Sequence, residues 1–390
     1  MRFLVLGAGK MGYATIFDLC KFGGADTQIT VVDSYSAPLE VISKHFNDPR
    51  VSVVRADVSN TDELAYLMSG TDVVISCVTY KFNYDLSKAA IEAGASFCDL
   101  GGNEDIVRRQ FLLDEMARER GVAIIPDCGL APGQVSILAA AACAELDEVS
   151  QVKLRVGGLP IEPKMPLDYA LFFSTEGLIN EYVEDATVIR DGKLLRVPSL
   201  VDLEEIEFPE PFGTMEAFNT SGGISTLPAT LGAKVKDLDY KTIRYPGHCL
   251  KIKLLKDLGL MDSQPIKVNQ ENVAPRAVLA ALFEQKLPRE EPDVVLVRVE
   301  VTGVKNNEPT VISWECIDYL DESTGLTAMM RMTAFPVSII AQMLGRGQIK
   351  DRGSLYQELS VPQDLFLQEM SKRGIKLVKT ERKIAATAQV

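Results

Sequence analysis

MRFLVLGAGKMGYATIFDLCKFGGADTQITVVD, residues Met1 to Asp33, is the stretch whose reading decides the fold. It opens with an apolar, strand-like run, Phe3-Leu4-Val5-Leu6. Gly7, Gly9 and Gly12 follow in the spacing G-x-G-x-x-G, with Lys10 and Met11 between them. Lys10 to about Lys21 has helical periodicity, and a second apolar run, Ile29 to Val32, ends on Asp33. Together these pieces form a device for holding a dinucleotide. Gly7 permits the tight turn off the strand, Gly9 lets backbone approach a pyrophosphate, and Gly12 lets the helix pack closely. The helix N-terminus offers unpaired N–H groups to the phosphates. Asp33 lies about 20 residues past the glycines, where an acid accepts hydrogen bonds from the adenosine ribose. Its carboxylate repels a 2′-phosphate, and Ser34-Tyr35-Ser36 supply no Arg or Lys, so NAD is expected over NADP.

Composition narrows the rest. A chain of 390 residues suggests two domains. Hydrophobic residues at 46% and charged residues at 24% are ordinary for a globular protein. A formal net charge of -13 argues against nucleic acid or an anionic membrane as partner. No apolar run is long enough to span a bilayer, and the first one is too short for a secretory signal. Seven cysteines at long intervals, with no C-x-x-C, suggest buried thiols in a cytoplasmic protein. With only His45 and His248 present, no cluster has metal-ligand spacing, and no metal is expected.

From Met1 to Ile125 strands and helices alternate, ending with a charged helix over Asp105 to Arg120 and a last strand at Ala123. This predicts a Rossmann-type, doubly wound parallel sheet over residues 1–128. Ligands to such a sheet collect at the carboxyl ends of its strands. Those ends carry Asp33, Asp57, Cys77, Val78, Tyr80, Asp99 and Asp127, and the first four join the glycine loop as expected cofactor contacts. The pattern changes after Gly129-Leu130-Ala131-Pro132-Gly133. Val294 to Thr302 alternates, with Val295, Val297, Val299 and Val301 on one face, and Thr310 to Asp318 returns as a hairpin. Residues 129–330 therefore read as a second, α+β domain with a mainly antiparallel sheet, covered on one side. The helical remainder, 331–390, is expected to pack back on the first domain.

Lys241 to His248, KTIRYPGH, places Arg244 on a strand just before a Pro-Gly turn. A guanidinium fixed on a strand suits bidentate capture of a carboxylate. It equally suits a structural pair with one of the many acids. His248, at the start of the next helix, is either a site residue or a helix-start histidine without a chemical role.

With these residues in view, the sequence resembles the saccharopine dehydrogenase-like family over nearly its whole length. The resemblance rests on GAGKMG at 7–12, GLAPG at 129–133, GGLP at 157–160 and TIRYPGH at 242–248. It is nearest to members that oxidise the ε-amine of lysine with NAD. Saccharopine-reducing members carry Asp at the position of Ala131, Cys at that of Val156 and Arg at that of Glu176. An acid at 176 in place of an arginine disfavours a second dicarboxylate arm and favours an amine.

The resemblance implies oxidative deamination of lysine to a semialdehyde that cyclises, with release of ammonia. Arg244 would take the α-carboxylate, Glu176 or Asp99 an amine, and Tyr80 or His248 a proton. The alternatives are oxidation or reduction of a secondary-amine adduct, such as saccharopine or a carboxyalkyl polyamine, and a non-catalytic NAD-binding sensor. The expected partners are a small-molecule substrate and a second copy of the chain, since an open sheet has edges to cover.

Overall fold

The computed structural model describes residues 1–232 and 234–384. The chain divides into two compact units. The first comprises Met1–Ala141, Ser225–Thr230 and Met330–Leu377; the second comprises Ala142–Ile224, Leu231–Met329 and the segment beginning at Val378.

In chain order, the first unit begins with β1 (Arg2–Leu6), α1 (Lys10–Phe22), β2 (Gln28–Asp33), α2 (Ser36–His45), β3 (Val51–Arg55) and α3 (Thr61–Met68). It continues through β4 (Val73–Ser76), α4 (Asn83–Ala93), β5 (Ser96–Asp99), α5 (Glu104–Phe111), α6 (Asp114–Arg120), β6 (Ala123–Ile125) and α7 (Gln134–Cys143). The charged run after Asp105 is thus two helices, broken around Leu112 and Leu113. Helix α7 belongs to the first unit as far as Ala141, beyond the expected boundary at 128.

The second unit contributes β7 (Glu148–Pro160), α8 (Thr175–Val183), β8 (Ala186–Arg190), β9 (Lys193–Val197), β10 (Glu204–Phe208) and β11 (Gly213–Asn219). After α9 (Leu227–Leu231) come β12 (Asp237–Arg244), α10 (His248–Asp257), β13 (Ile266–Val268), β14 (Glu271–Val273) and α11 (Pro275–Lys286). The hairpin β15 (Asp293–Lys305) and β16 (Glu308–Tyr319) follows. Helix α12 (Ala328–Gly345), β17 (Gly353–Ser354), α13 (Gln357–Ser360), α14 (Gln363–Lys372) and β18 (Val378–Lys383) complete the chain.

The first sheet has seven strands in the order β17-β6-β5-β4-β1-β2-β3, every pairing parallel. Leu4, Val5 and Leu6 are fully buried, as expected for a central strand covered on both faces. The order reverses at β1, so the carboxyl ends of β1, β2 and β4 surround the switch point where ligands of this architecture bind. The C-terminal helices are fastened to this unit by a buried ionic cluster. Arg373 grips Asp18 of α1 with two nitrogens, at 2.6 and 2.9 Å, and Ser338 and Gln342 donate to the same carboxylate at 2.6 and 3.0 Å.

The second sheet has nine strands, with β10-β11-β12-β7-β15-β16-β18 as its main path and β8 and β9 attached at β12. Only β12 and β7 pair in parallel; the others are antiparallel. The β15 valines at odd positions are buried on one face as the alternation predicts. Val294 and Leu296 on the opposite face are buried too, against Ile243 and Met215. One covered side is therefore true only of the outer half of β15, from Arg298 onward. No helix among the described residues is long and apolar enough to cross a membrane.

Candidate functional site

In the first unit the glycine loop is built as its spacing requires. Gly7 adopts φ +98°, a conformation L side chains rarely take. A Cβ on Gly12 would lie 1.9 Å from the Gly7 carbonyl oxygen, so only glycine lets α1 approach the loop. A Cβ on Gly9 would meet nothing within 4 Å, so the backbone there is open. Gly9 caps α1 without a side-chain hydrogen bond, and Lys10 and Met11 form the first turn. The N-cap residue thus contributes no side-chain hydrogen bond to the first turn.

Asp33 ends β2 with its carboxylate pinned: Oδ2 accepts from the Ala8 N–H at 2.8 Å and Oδ1 from the Tyr35 N–H at 2.9 Å. Each oxygen keeps a further lone pair for a ribose hydroxyl. Cys77 and Val78, past the end of β4, close the loop from the other side. A Cβ on Gly7 would meet the Cys77 carbonyl at 2.9 Å and a Val78 methyl at 3.0 Å. Burial pushes the Cys77 thiol up to about 12, so it is protonated. Asp57 is exposed, and its Oδ1 accepts from the Ser59 N–H and hydroxyl at 2.9 and 2.8 Å, which shapes the turn after β3. These groups fit a dinucleotide: a helix start at a glycine N-cap, a cradle that a Cβ would fill, and a carboxylate held at ribose position.

At the next strand ends, Tyr80 lies against Gly102, where a Cβ would be 3.1 Å from its ring. Asp99 is fully enclosed. It accepts from the Gly101 and Asp127 N–H groups at 2.7 and 3.2 Å and from Gln110 Nε2 at 2.7 Å. Burial raises its pKa, and both oxygens are occupied in holding two loops together.

The second unit holds a separate polar centre at the end of β12. Arg244 is buried, 3% exposed, with its guanidinium 4.8 Å from the centre of the Tyr169 ring. Its Nε donates to the Tyr182 hydroxyl at 3.2 Å and Nη1 to the Ile243 carbonyl at 2.9 Å. Tyr182 Oη lies 3.0 Å from His248 Nε2, and His248 Nδ1 lies 2.8 Å from the Leu167 carbonyl. Directions follow from the chemistry. A carbonyl only accepts, so Nδ1 carries the proton; Nε2 is then the acceptor and Tyr182 donates to it. The chain runs Arg244 to Tyr182 to His248 to Leu167. Burial, then the Arg244 charge, depresses the His248 pKa to about 3. His248 is therefore held neutral, with both nitrogens engaged.

Local sequence explains how this end of β12 is held. Gly247, at φ +88°, turns the chain into α10. The Glu216 carboxylate caps that helix, accepting from the Gly247 and Cys249 N–H groups at 2.8 and 2.5 Å. Glu216 stands opposite Arg244 in the β11–β12 register.

The acid that faces Arg244 is Glu181, one residue before Tyr182 on α8. Its Oε2 lies 3.8 Å from Arg244 Nη2, beyond hydrogen-bond reach, and its carboxylate accepts no hydrogen bond among the described residues. Its side chain is 31% exposed, against 3% for Arg244. Enclosure by protein pushes its pKa up to about 7, against the pull of Arg244. Glu176, one and a half turns earlier on α8, is 64% exposed and pairs with Arg276 at 2.6 Å. The structure therefore joins Arg244 and His248, and places Glu181 rather than Glu176 beside the guanidinium.

The glycine loop and its strand-end acid define a nicotinamide-dinucleotide-binding domain, and the second unit holds a cation and an acid side by side. Comparison with known proteins gives the family. Residues 3–125 match the saccharopine dehydrogenase NADP binding domain, and residues 129–375 match the saccharopine dehydrogenase C-terminal domain. The chain belongs to the saccharopine dehydrogenase family.

Among individual relatives, saccharopine dehydrogenase [NADP(+), L-glutamate-forming] of Saccharomyces cerevisiae is 24% identical over 297 residues. That match covers 70% of this chain and 61% of the relative. Alpha-aminoadipic semialdehyde synthase of Arabidopsis thaliana is 25% identical over 281 residues, 67% of this chain and 25% of that protein. The chain thus matches less than two thirds of the length of these relatives. Among solved structures, apo saccharopine dehydrogenase (L-Glu forming) from S. cerevisiae superposes with a TM-score of 0.80 at 21% identity, covering 98% of this chain and all of that one. Homospermidine synthase from Legionella pneumophila, solved in complex with NAD, gives 0.71 at 14% identity, covering 100% and 93%. At these identities both structures speak to the fold alone.

Proposed function

We propose that this protein is an NAD-dependent oxidoreductase of the lysine 6-dehydrogenase type, removing the ε-amine of L-lysine. The observation that carries the reading is the 3.8 Å gap between Arg244 and Glu181. A cation and an acid that close, with no hydrogen bond between them, form a receptor for the zwitterionic head of an α-amino acid. Arg244 takes the α-carboxylate through donors that Tyr182 and Ile243 leave over. Glu181, ionised above about pH 7, takes the α-ammonium.

The far end of lysine carries the reacting amine. Its ammonium, with a pKa near ~10.4 in water, must shed a proton before the adjacent carbon can release hydride. When bound, the nicotinamide ring accepts the hydride that leaves C6. The substrate iminium takes up water, ammonia departs, and the semialdehyde closes on its own α-amine to 1-piperideine-6-carboxylate. Asp33 supports NAD, since its carboxylate offers acceptors to ribose hydroxyls and repulsion to a 2′-phosphate.

A second reading, oxidation or reduction of saccharopine or a carboxyalkyl polyamine, is favoured by the names of the relatives, which specify saccharopine and NADP(+). A non-catalytic NAD sensor is disfavoured by the Glu181–Arg244 pair, for which it has no use. The proposal includes a cytoplasmic location, in keeping with seven free thiols, and a homodimer formed through the second unit. A monomer by light scattering would refute the dimer.

The deciding experiment is a panel of amines and amino acids incubated with NAD and with NADP, following reduced cofactor and ammonia together. Lysine with NAD should yield both in equal amounts. Turnover of saccharopine alone, without ammonia, would replace this reading with the second.

A further inference from the structure

The glycine loop and Asp33 account for the dinucleotide as far as the adenosine ribose. They do not account for Arg55. Strands β2 and β3 run parallel with Asp33 and Arg55 paired in register. Arg55 stretches along the strand ends, and its Nε donates to the Ser34 carbonyl at 3.0 Å. That single bond anchors the guanidinium on the loop immediately after Asp33. Its two terminal nitrogens make no hydrogen bond or ion pair among the described residues. An exposed arginine on an acidic protein commonly finds a carboxylate; this one is tied to a backbone carbonyl instead.

The carboxylate beside it is equally fixed, by Ala8 and Tyr35. Asp33 and Arg55 thus present opposite charges at one edge of the ribose site, without neutralising each other by contact. Local sequence concealed this arrangement, because the arginine comes from the following strand and not from the residues after Asp33.

We propose that Arg55 is a specificity-determining residue that lets the site accept a 2′-phosphorylated adenosine beside the unphosphorylated one. The inference rests on the reading of Asp33 as the ribose-binding acid that favours NAD. Asp33 sets the preference, and Arg55 limits its size by offering two donors and a positive charge to the phosphate that Asp33 repels. NADP therefore binds as well, more weakly than NAD.

The test is calorimetric binding of NAD and NADP to the full chain and to Arg55→Gln and Asp33→Asn variants, with thermal melts to confirm folding. Wild type should bind both nucleotides. Arg55→Gln should weaken NADP by about tenfold or more, the worth of a lost charge-assisted contact. It should leave NAD within about threefold, and the NADP penalty should shrink as salt rises. Asp33→Asn should narrow the gap from the other side by weakening NAD and tightening NADP. The inference is overturned if wild type binds no NADP, or if Arg55→Gln shifts both nucleotides alike or neither. A wild type that prefers NADP, with that preference lost in Arg55→Gln, supports the role of Arg55 and overturns the NAD reading instead.

Discussion

Glu181 and Arg244 face each other at 3.8 Å, near enough to set each other's charge and too far apart to satisfy each other's hydrogen bonds. The buried pair between Arg373 and Asp18 is closed by contrast, at 2.6 Å. Arg244 is instead held from behind, by Tyr182 and the Ile243 carbonyl. The open pair is consistent with a site that acquires its last partners from a ligand. Two neighbouring opposite charges match the two charges on an α-carbon better than they match charges several bonds apart.

The first prediction concerns the acid. Glu181→Gln should raise KM for lysine by about 10- to 100-fold, from loss of a charge-assisted bond worth roughly 1.5–3 kcal/mol, with kcat changed far less. In the wild type, kcat/KM should gain a limb near pH 7 as Glu181 ionises, falling on the acid side, and the variant should lack that limb. 6-Aminohexanoate, which has no α-amine, should be a poor substrate of the wild type, and the variant should treat it and lysine nearly alike. A variant with unaltered KM would take Glu181 out of the site.

The second concerns the cation. Lys keeps the charge of Arg244 but cannot donate simultaneously to Tyr182, a backbone carbonyl and a carboxylate in one plane. Arg244→Lys should therefore raise KM for lysine by about tenfold or more while the Kd for NAD, measured separately, stays put. Loss of NAD affinity of the same size would show that the arginine shapes the whole protein rather than one ligand.

How much of this was legible in the sequence follows from distance along the chain. The dinucleotide cradle lies within Met1 to Asp33, and each of its parts is a local rule: a turn that needs glycine, a helix start, a strand-end acid. Arg244 was marked by its place before Pro246-Gly247. Its acid was harder to find. Glu176 and Glu181 share α8 but stand five residues, or about 140° around the axis, apart, so they occupy different faces. Burial of Leu178, Ile179 and Tyr182 fixes which face turns inward, and Glu181 goes with Tyr182. Glu216 and Arg55 were not legible at all, because strand register sets each beside residues distant in sequence. The boundary near 128 was obscured for a similar reason, since α7 continues the first core past the GLAPG loop.

A third prediction follows from His248. It is neutral and buried in the folded chain, with its pKa lowered from 6.5 to about 3. A base with a depressed folded pKa is protonated first in the unfolded state. Stability is therefore lost as pH falls below about 6.5, with a slope approaching 1.4 kcal/mol per unit until about pH 3. Buried carboxyls with raised pKa values, such as Asp99, act in the opposite sense, so the wild-type curve alone is not diagnostic. The difference between wild type and His248→Asn isolates the histidine. In urea titrations at pH 7 and pH 5, the variant's deficit should narrow by more than about 1 kcal/mol at the lower pH. A deficit independent of pH would mean that His248 takes up its proton in the folded protein as readily as in the unfolded chain.

The last prediction tests what fixes the C-terminal helices to the first unit. Asp18 receives four hydrogen bonds: two from Arg373, one from Ser338 and one from Gln342. Arg373 also donates to the Glu369 carboxylate at 2.6 Å, so removing it strands two acids, one of them fully buried. Breaking a buried pair from one side costs about 3–5 kcal/mol, mostly the desolvated charge left behind. Arg373→Met should therefore cost about that much, measured by urea unfolding. The double variant Asp18→Asn with Arg373→Met should recover a large part of the loss, because the stranded charge on α1 is gone. Equal costs for the single and double variants would show that the guanidinium contributes packing against Phe22, 4.2 Å from its ring centre, rather than neutralisation of Asp18.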